Sequence, residues 1–470
     1  MSTKVLTTSR ISFATFATNT LSMLIAAVLV FVIGYAAIVF EHPLKLDKTV
    51  PALIMGALVW AFISLGHLDL MHETVEAGVV GGDDHGGDYK GLLKDTLLHH
   101  IGKTAEILIF LIGAMTIVEL IDLHKGFSVI TNRITTTKKT TMLWIVCILA
   151  FFLSATLDNL ASTIVLVSLL RRLVPVKSER LWYVSMGVIA ANAGGAWSPI
   201  GDVTTTMLWI AEKVSTGGLI THLVVPAVVC ILVPVAIATF LPAFKGHITP
   251  TTRDFEAKKE EEKVLGSRRM LAFGLGGLVF VPIFKVATGL PPYMGMMLAL
   301  GIVWLVSEYI HPEEDFERKQ MYSAHNALSR IEMSSILFFL GILMAVAGLE
   351  SIGLLKELAE WLDAAIPQTE VVILLLGVFS ALIDNVPLVA ASMGMYENAM
   401  DSTLWHFIAY SAGTGGSMLI IGSAAGVAAM GMERIDFMWY LKNIGWLAFA
   451  GFIAGAGVFL LMASMFGWVM

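Results

Sequence analysis

The chain has 470 residues, 57% hydrophobic and only 14% charged, with a net charge of −7. Apolar runs long enough to cross roughly 30 Å of hydrocarbon recur throughout, which argues against a soluble globular domain. The only two cysteines, Cys147 and Cys230, lie in apolar segments, which argues against a disulfide framework.

Residues 1–18 form an N-terminal tip whose only charges are Lys4 and Arg10, and the apolar run that follows is too long for a leader core. The first crossings are expected at 19–40, 51–66 and 104–123. Between the last two, residues 67–103 hold His67, His72, His85, His99 and His100 among Asp69, Glu73, Glu76, Asp83, Asp84 and Asp88. No tight ligand spacing supports a metal site there, so the tract reads as a solvated loop. A pH response through His99 and His100, with Glu106 and Glu119 further on, is the alternative reading, because histidine titrates near neutrality.

Residues 141–172 are long enough for two short helices with a turn between them, at Ser154-Ala155-Thr156-Leu157-Asp158-Asn159. The next crossing, 182–212, is broken by Asn192-Ala193-Gly194-Gly195-Ala196 and by Ser198-Pro199-Ile200-Gly201-Asp202. A crossing at 219–242 closes the first half. Segment 243–269 is a charged linker, read as a cytoplasmic strap with no nucleic-acid role. The second half then has crossings at 270–288, 291–310, 334–349, 403–432 and 440–466, before a short tip at 467–470. Its stretch 370–396 carries Ser380-Ala381-Leu382-Ile383-Asp384-Asn385, and 403–432 is broken at Gly413-Thr414-Gly415-Gly416-Ser417 and at Gly422-Ser423.

The same motifs in the same order define two repeats, 19–242 and 270–466. Gly113 to Glu119 resembles Gly341 to Glu350, and Ala57-Leu58-Val59-Trp60 resembles Gly301-Ile302-Val303-Trp304. A turn at mid-membrane is tolerable only where its backbone is buried or lines a cavity. Both Asp-Asn stretches therefore read as re-entrant hairpins. The ends of the first are basic (Arg133, Lys138, Lys139; Arg171, Arg172, Lys177, Arg180), which places them in the cytoplasm. Those of the second are acidic (Glu360, Asp363, Glu370; Glu397, Asp401), with Lys356 the one nearby cation, which places them outside. Opposite sides are what inverted repeats predict. A cytoplasmic linker then forces an external N-terminus; Lys4 and Arg10 violate the charge rule there, while Lys45 and Lys48 obey it. The expected fold is an all-α polytopic membrane protein of two inverted-topology repeats, each with a re-entrant helical hairpin and a broken transmembrane helix.

Half-helix carbonyls combined with Asp, Asn, Ser and Thr oxygens suit a hard cation, whereas N–H ends suit an anion. Each hairpin tip carries an acid, and the first break adds a third. A site ringed by Asp158, Asp202 and Asp384 would repel a dicarboxylate and attract Na⁺, Li⁺ or H⁺. A buried carboxylate that holds either a proton or a cation gives antiport by mutual exclusion. Asn159, Asn192, Thr204, Thr205, Asn385, Ser417 and Ser423 add neutral oxygens near the breaks. Simple helix capping is the alternative reading of the acids, and close helix packing that of the paired glycines.

At these residues the chain resembles the NhaD-type sodium/proton antiporters of the ion-transporter superfamily. The resemblance rests on Ser154 to Thr163, Gly194 to Thr205, Gly413 to Ser417, Gly113 to Glu119 and the preceding His99-His100, and covers residues 19–466. It implies a cation site at or near Asp158, Asn159, Asn192, Asp202, Thr204, Thr205, Asp384 and Asn385. It also implies a homodimer whose transport domain moves against a fixed scaffold. The related divalent-anion/sodium symporters carry Ser-Asn-Thr at their tips, where this chain has Asp-Asn. The expected activity is exchange of Na⁺ or Li⁺ for H⁺ in a bacterial inner (plasma) membrane, without a cofactor and with lipid as surroundings. A sodium-coupled dicarboxylate or other anion symporter is the second expectation. The enzyme motifs HExxH, GxSxG and a phosphate-cradling loop are absent from the sequence.

Overall fold

The computed structural model describes residues 2–70, 89–131, 134, 136–248, 266–310, 322–382 and 384–468, without the side chains of 2–19, 42, 43 and 131. His72, Glu73, Glu76, Asp83, Asp84, His85, Asp88, Arg133 and linker positions 249–265 lie outside the described residues, as do the side chains of Lys4 and Arg10. Among the described residues every extended element is a helix.

The first half comprises α1 (Ser2–Val39), α2 (Thr49–Gly66), α3 (Tyr89–Leu123), α4 (Lys139–Leu157), α5 (Asn159–Leu173), α6 (Lys177–Gly195), α7 (Val203–Ile210) and α8 (Thr216–Thr239). The second comprises α9 (Ser267–Thr288), α10 (Pro292–Ile310), α11 (Met333–Ser351), α12 (Leu354–Ala365), α13 (Thr369–Phe379), α14 (Asn385–Met395), α15 (Thr403–Gly415), α16 (Ala424–Glu433) and α17 (Trp446–Phe466). A single π turn at Leu441–Gly445 leads into α17. Among the described residues, nine helices are long and apolar enough to cross a membrane. The chain is a multi-pass membrane protein.

Helix α3 corrects one expectation. Residues 89–103 belong to it rather than to a solvated loop. Thr96, His100 and Thr104, spaced one turn apart, make a buried polar face there. The His100 ring nitrogen Nε2 lies 2.9 Å from the Ser351 hydroxyl, so this histidine is anchored instead of solvated. His99 beside it is exposed. A two-residue window of His-His hides this, because the two side chains point 100° apart around a helix.

The chain divides into two compact units. One comprises Met1–Leu108, Glu332–Pro367 and Ala390–Glu397. Within it α2 packs against both α1 and α11, and the Trp60 indole donates to the Met344 carbonyl at 2.8 Å. The other comprises Ile109–Ile331, Gln368–Val389 and Asn398–Met470. Within it α4, α5 and α6 pack together and α8 packs along α17. Phe407 stacks on Phe459 with ring centroids 4.8 Å apart, and the Tyr410 hydroxyl donates to the Phe452 carbonyl at 2.8 Å. Lipid tails are as apolar as leucine, so close packing and such polar links hold these helices together more than hydrophobic transfer does.

Candidate functional site

Two glycine pairs set the backbone of the site. A Cβ on Gly194 would lie 2.1 Å from the Phe151 carbonyl oxygen, and one on Gly415 would lie 2.0 Å from that of Gly377. Phe151 and Gly377 hold matching places in the two Asp-Asn stretches, three residues ahead of Ser154 and Ser380. The neighbours Gly195 and Gly416 approach Gly201 and Gly422 in the same way, at 2.3 and 2.5 Å. Each broken helix is thus pressed onto the Asp-Asn stretch of its own half through contacts that only glycine permits. The packing reading of these glycines holds, and that packing is what brings the breaks to the hairpin tips.

The Asp-Asn turns lead into α5 and α14. Asp158 caps α5, its carboxylate accepting from the Ala161 amide at 2.7 Å. Its backbone sits at φ 99°, ψ 162°, a region sparsely populated by non-glycine residues that costs on the order of 1–3 kcal/mol. Asp384 accepts from the Val386 amide at 3.3 Å. Both acids are half-buried. Capping and the acidic tip therefore coexist at each site.

Asp202 differs from both. It is 2% exposed and caps α7, accepting from the Thr204 amide at 3.1 Å. The side-chain amide of Asn159 donates to its Oδ2 at 3.0 Å, and that of Asn385 at 3.1 Å. The two Asp-Asn turns converge on one carboxylate. Asp158 and Asp384 both lie within electrostatic range of it. A hydrogen bond to a charged group contributes about 1.5–3 kcal/mol. Two such bonds offset part of the several kcal/mol that burying a carboxylate costs, but neutral donors do not cancel its charge. The remaining complement is a cation or a proton.

Asn192 connects the rest. Its Oδ1 accepts from Asn159 at 3.0 Å, and its Nδ2 donates to Ser417 and Ser423, each at 2.9 Å. Ser423 also caps α16, accepting from the Gly426 amide at 3.2 Å. Thr205 turns away, its hydroxyl donating to the Asp202 carbonyl at 2.9 Å. The Thr204 hydroxyl is buried without a hydrogen-bond partner among the described residues. So are those of Ser162 and Thr163, which sequence reasoning did not single out. They stand three and four residues after Asn159, on its face of α5, and that spacing was the available signal. Asp158, Asn159, Asn192, Asp202, Thr204, Thr205, Asp384, Asn385, Ser417 and Ser423 all belong to one compact unit. His99, His100 and Glu106 belong to the other, and Glu119 to the same unit as the acids.

Known proteins match this chain along most of its length. The profile of the citrate transporter family matches residues 35–406. Sodium/proton antiporter 1 of Arabidopsis thaliana is 46% identical, over 94% of this chain and 73% of its own length. Sodium/proton antiporter 2 of the same plant is 44% identical over 92% and 98%. The chain belongs to the citrate transporter family, as an NhaD-type antiporter. The Na(+)/H(+) antiporter NhaD of Alkalimonas amylolytica is 29% identical over 93% and 90% of the two chains. In this NhaD-type member, Asn159, Asn192 and Asn385 are hydrogen-bonded into one site with Asp202. Its relatives are transporters and not enzymes.

Proposed function

We propose that the chain exchanges Na⁺ or Li⁺ for H⁺, the cation and the proton competing for Asp202 with Asp158 and Asp384 beside it. The observation that carries this reading is the convergence of Asn159 and Asn385 on the buried Asp202 carboxylate. In it, cation entry displaces the proton, and the amides swing so that their oxygens, with those of Ser417, Ser423 and Thr204, join the coordination shell. In this reading H⁺ entry drives Na⁺ efflux across a bacterial inner (plasma) membrane, although the more identical relatives come from a plant.

The family's description names citrate, which favours testing an anion symporter as the second reading. Asp202, with Asp158 and Asp384 each within electrostatic range of it, opposes a polycarboxylate there. Everted vesicles carrying the protein and an imposed ΔpH separate the two readings. NaCl and LiCl should each collapse the gradient, and succinate or citrate should not. Vesicles in which neither salt does so, while Na⁺ drives labelled carboxylate uptake, would establish the symporter.

We further propose the finer architecture: two inverted repeats, 19–242 and 270–466, each with a re-entrant hairpin, in a homodimer of elevator type. The gathering of all ten candidate residues into one compact unit supports a transport body that carries its site with it. Cysteines introduced at Thr137 and Pro175 should label together from the cytoplasm, and those at Pro367 and Ala399 together from outside. Labelling of either pair from opposite faces would remove the re-entrant hairpin.

A further inference from the structure

Outside the carboxylate site, the distal ends of the two short half-helices hold charged groups that ion exchange at Asp202 leaves unused. Helix α7 has eight residues and α16 has ten, so each is only about 12–15 Å long. Helices this short are marginal on their own. Each begins at a cap that belongs to the site, Asp202 or Ser423. Where that cap sits therefore depends on what holds the other end.

Both distal ends are held by a basic side chain on the next-to-last carbonyl. The Lys285 ammonium of α9 donates to the Trp209 carbonyl of α7 at 2.9 Å and stands 4.9 Å over the Trp209 ring. Trp209 is 1% exposed, and its indole meets the Phe110 ring edge-on at 6.3 Å. In α16, the Met432 carbonyl accepts from Nη2 of Arg171 on α5. The Glu433 carboxylate beside it accepts from Nε of Arg171 at 2.7 Å and from Nε of Arg180 at 2.9 Å. The last carbonyls of a helix form its negative dipole end, so a cation is favourable at both places.

Each anchor comes from the other half of the chain, Lys285 from the second and Arg171 from the first. They are not repeat equivalents. With Asn159 matched to Asn385, the position that matches Arg171 holds Glu397. With Asp202 matched to Ser423, the position that matches Glu433 holds Glu212, which is exposed and left-handed, φ 55°. One task is met twice by unlike residues, which a repeated backbone alone does not produce.

We infer that Lys285 is a positioning residue of the exchange reaction. Its ammonium fixes the distal end of α7 and thereby holds Asp202, at the proximal end, where the Asn159 and Asn385 amides meet. Lys285 also lies in the last turn of α9, so one charge serves the negative ends of two helices and ties them together. Lys285 does not touch the transported ion. Without it, cation binding has to bear the ordering of α7, which weakens binding and leaves the binding groups themselves unchanged.

The inference rests on the Na⁺/H⁺ exchange reading, and one of its two tests needs no transport. Lys285→Met keeps the apolar stem and removes the charge, whereas Lys285→Arg keeps a charged donor. In proteoliposomes, Lys285→Met should raise the KM for Na⁺ about fivefold, the scale of one partly buried helix-end charge, with the maximal rate within about twofold of wild type. Lys285→Arg should restore the wild-type KM. In detergent, amide hydrogen exchange should be faster in Lys285→Met across Val203–Ile210 and unchanged across Ala424–Glu433, whose own anchor is intact. A wild-type KM in Lys285→Met, even beside a lowered melting temperature, would make this cation a stabiliser alone and overturn the inference. So would a Lys285→Arg protein with the KM of Lys285→Met. Proteoliposomes in which the wild type does not exchange Na⁺ would instead refute the exchange reading. Unchanged amide exchange across Val203–Ile210 in Lys285→Met would then overturn the anchor on its own.

Discussion

The two helix breaks share a backbone and differ in chemistry. Asp202 caps α7 at φ −150°, ψ 148°, and Ser423 caps α16 at φ −148°, ψ 153°. Each follows a glycine that touches the glycine pair of its own half. Yet both hairpin asparagines donate to Asp202, including Asn385, which belongs to the half of Ser423. Ser423 receives the Asn192 amide and the Gly426 amide of the helix it caps. A repeated backbone thus supplies two equivalent frames, and one charge decides which of them gathers the donors. Charge-assisted bonds are stronger than neutral ones, so the amides go to the carboxylate.

The largest expected effects break one frame each. Gly194→Ala or Gly415→Ala places a methyl within about 2 Å of a carbonyl oxygen, and should cost more than the ~3 kcal/mol of ordinary overpacking. Neither variant should give a monodisperse protein on size exclusion; a well-folded Gly415→Ala with unchanged melting temperature would mean that the second frame is dispensable.

Next come the acids. Asp202→Asn should abolish most exchange, and any residual activity should lose its pH dependence. The sign follows from competition: as pH falls, protons occupy the carboxylate and the apparent KM for Na⁺ rises, and removing the carboxylate removes that rise. An Asp202→Asn protein with the wild-type pH profile would reduce this acid to a helix cap. Asn caps a helix start as well as Asp does, so Asp158→Asn and Asp384→Asn keep the hairpin turns while removing their charge. Each should still reach the membrane with exchange severely weakened, and near-normal exchange after reconstitution would remove that residue from the site.

Ser423→Ala sharpens the comparison from the neutral side. A hydroxyl can ligate Na⁺ but carries no exchangeable proton near neutral pH. Losing one interaction of about 1 kcal/mol should raise the KM for Na⁺ by about fivefold, with a modest loss of maximal rate and the pH profile intact. A flattened pH profile would move proton carriage to the second frame. The smallest effect is expected at Gly413, which stands where the first half has Asn192. A Cβ there would lie 3.6 Å from the Asp202 Oδ2, an ordinary contact. Gly413→Ala should melt within about 1 kcal/mol of wild type and raise the KM for Na⁺ about twofold. A change in melting without a change in KM would mean that this space serves packing alone.

Much of this was legible in the residues. The Asp-Asn tips, the glycine breaks and the candidate acids follow from repetition in apolar surroundings, because charge there is expensive and survives only where protein or water accommodates it. The start of α3 was not legible: Thr96, His100 and Thr104 look polar in a charged stretch, and only their burial shows them as one packed face. Nor was the role of Asn192, whose partners Ser417 and Ser423 stand in the other half of the chain. The stacking of His222 on His406 likewise joins positions with no local pattern between them.

The sequence by itself determined the membrane class, the all-helical fold, the repetition of motifs and the family. Hydrophobic run length, periodicity and turn residues are local properties, and each is written within a few dozen consecutive positions. Only the tertiary structure decided that three candidate acids are unequal: two half-buried caps at the Asp-Asn turns, and one buried carboxylate that takes an amide from each turn. That inequality depends on which groups long-range packing brings within about 3 Å of one another, a distance that spacing along a chain does not encode.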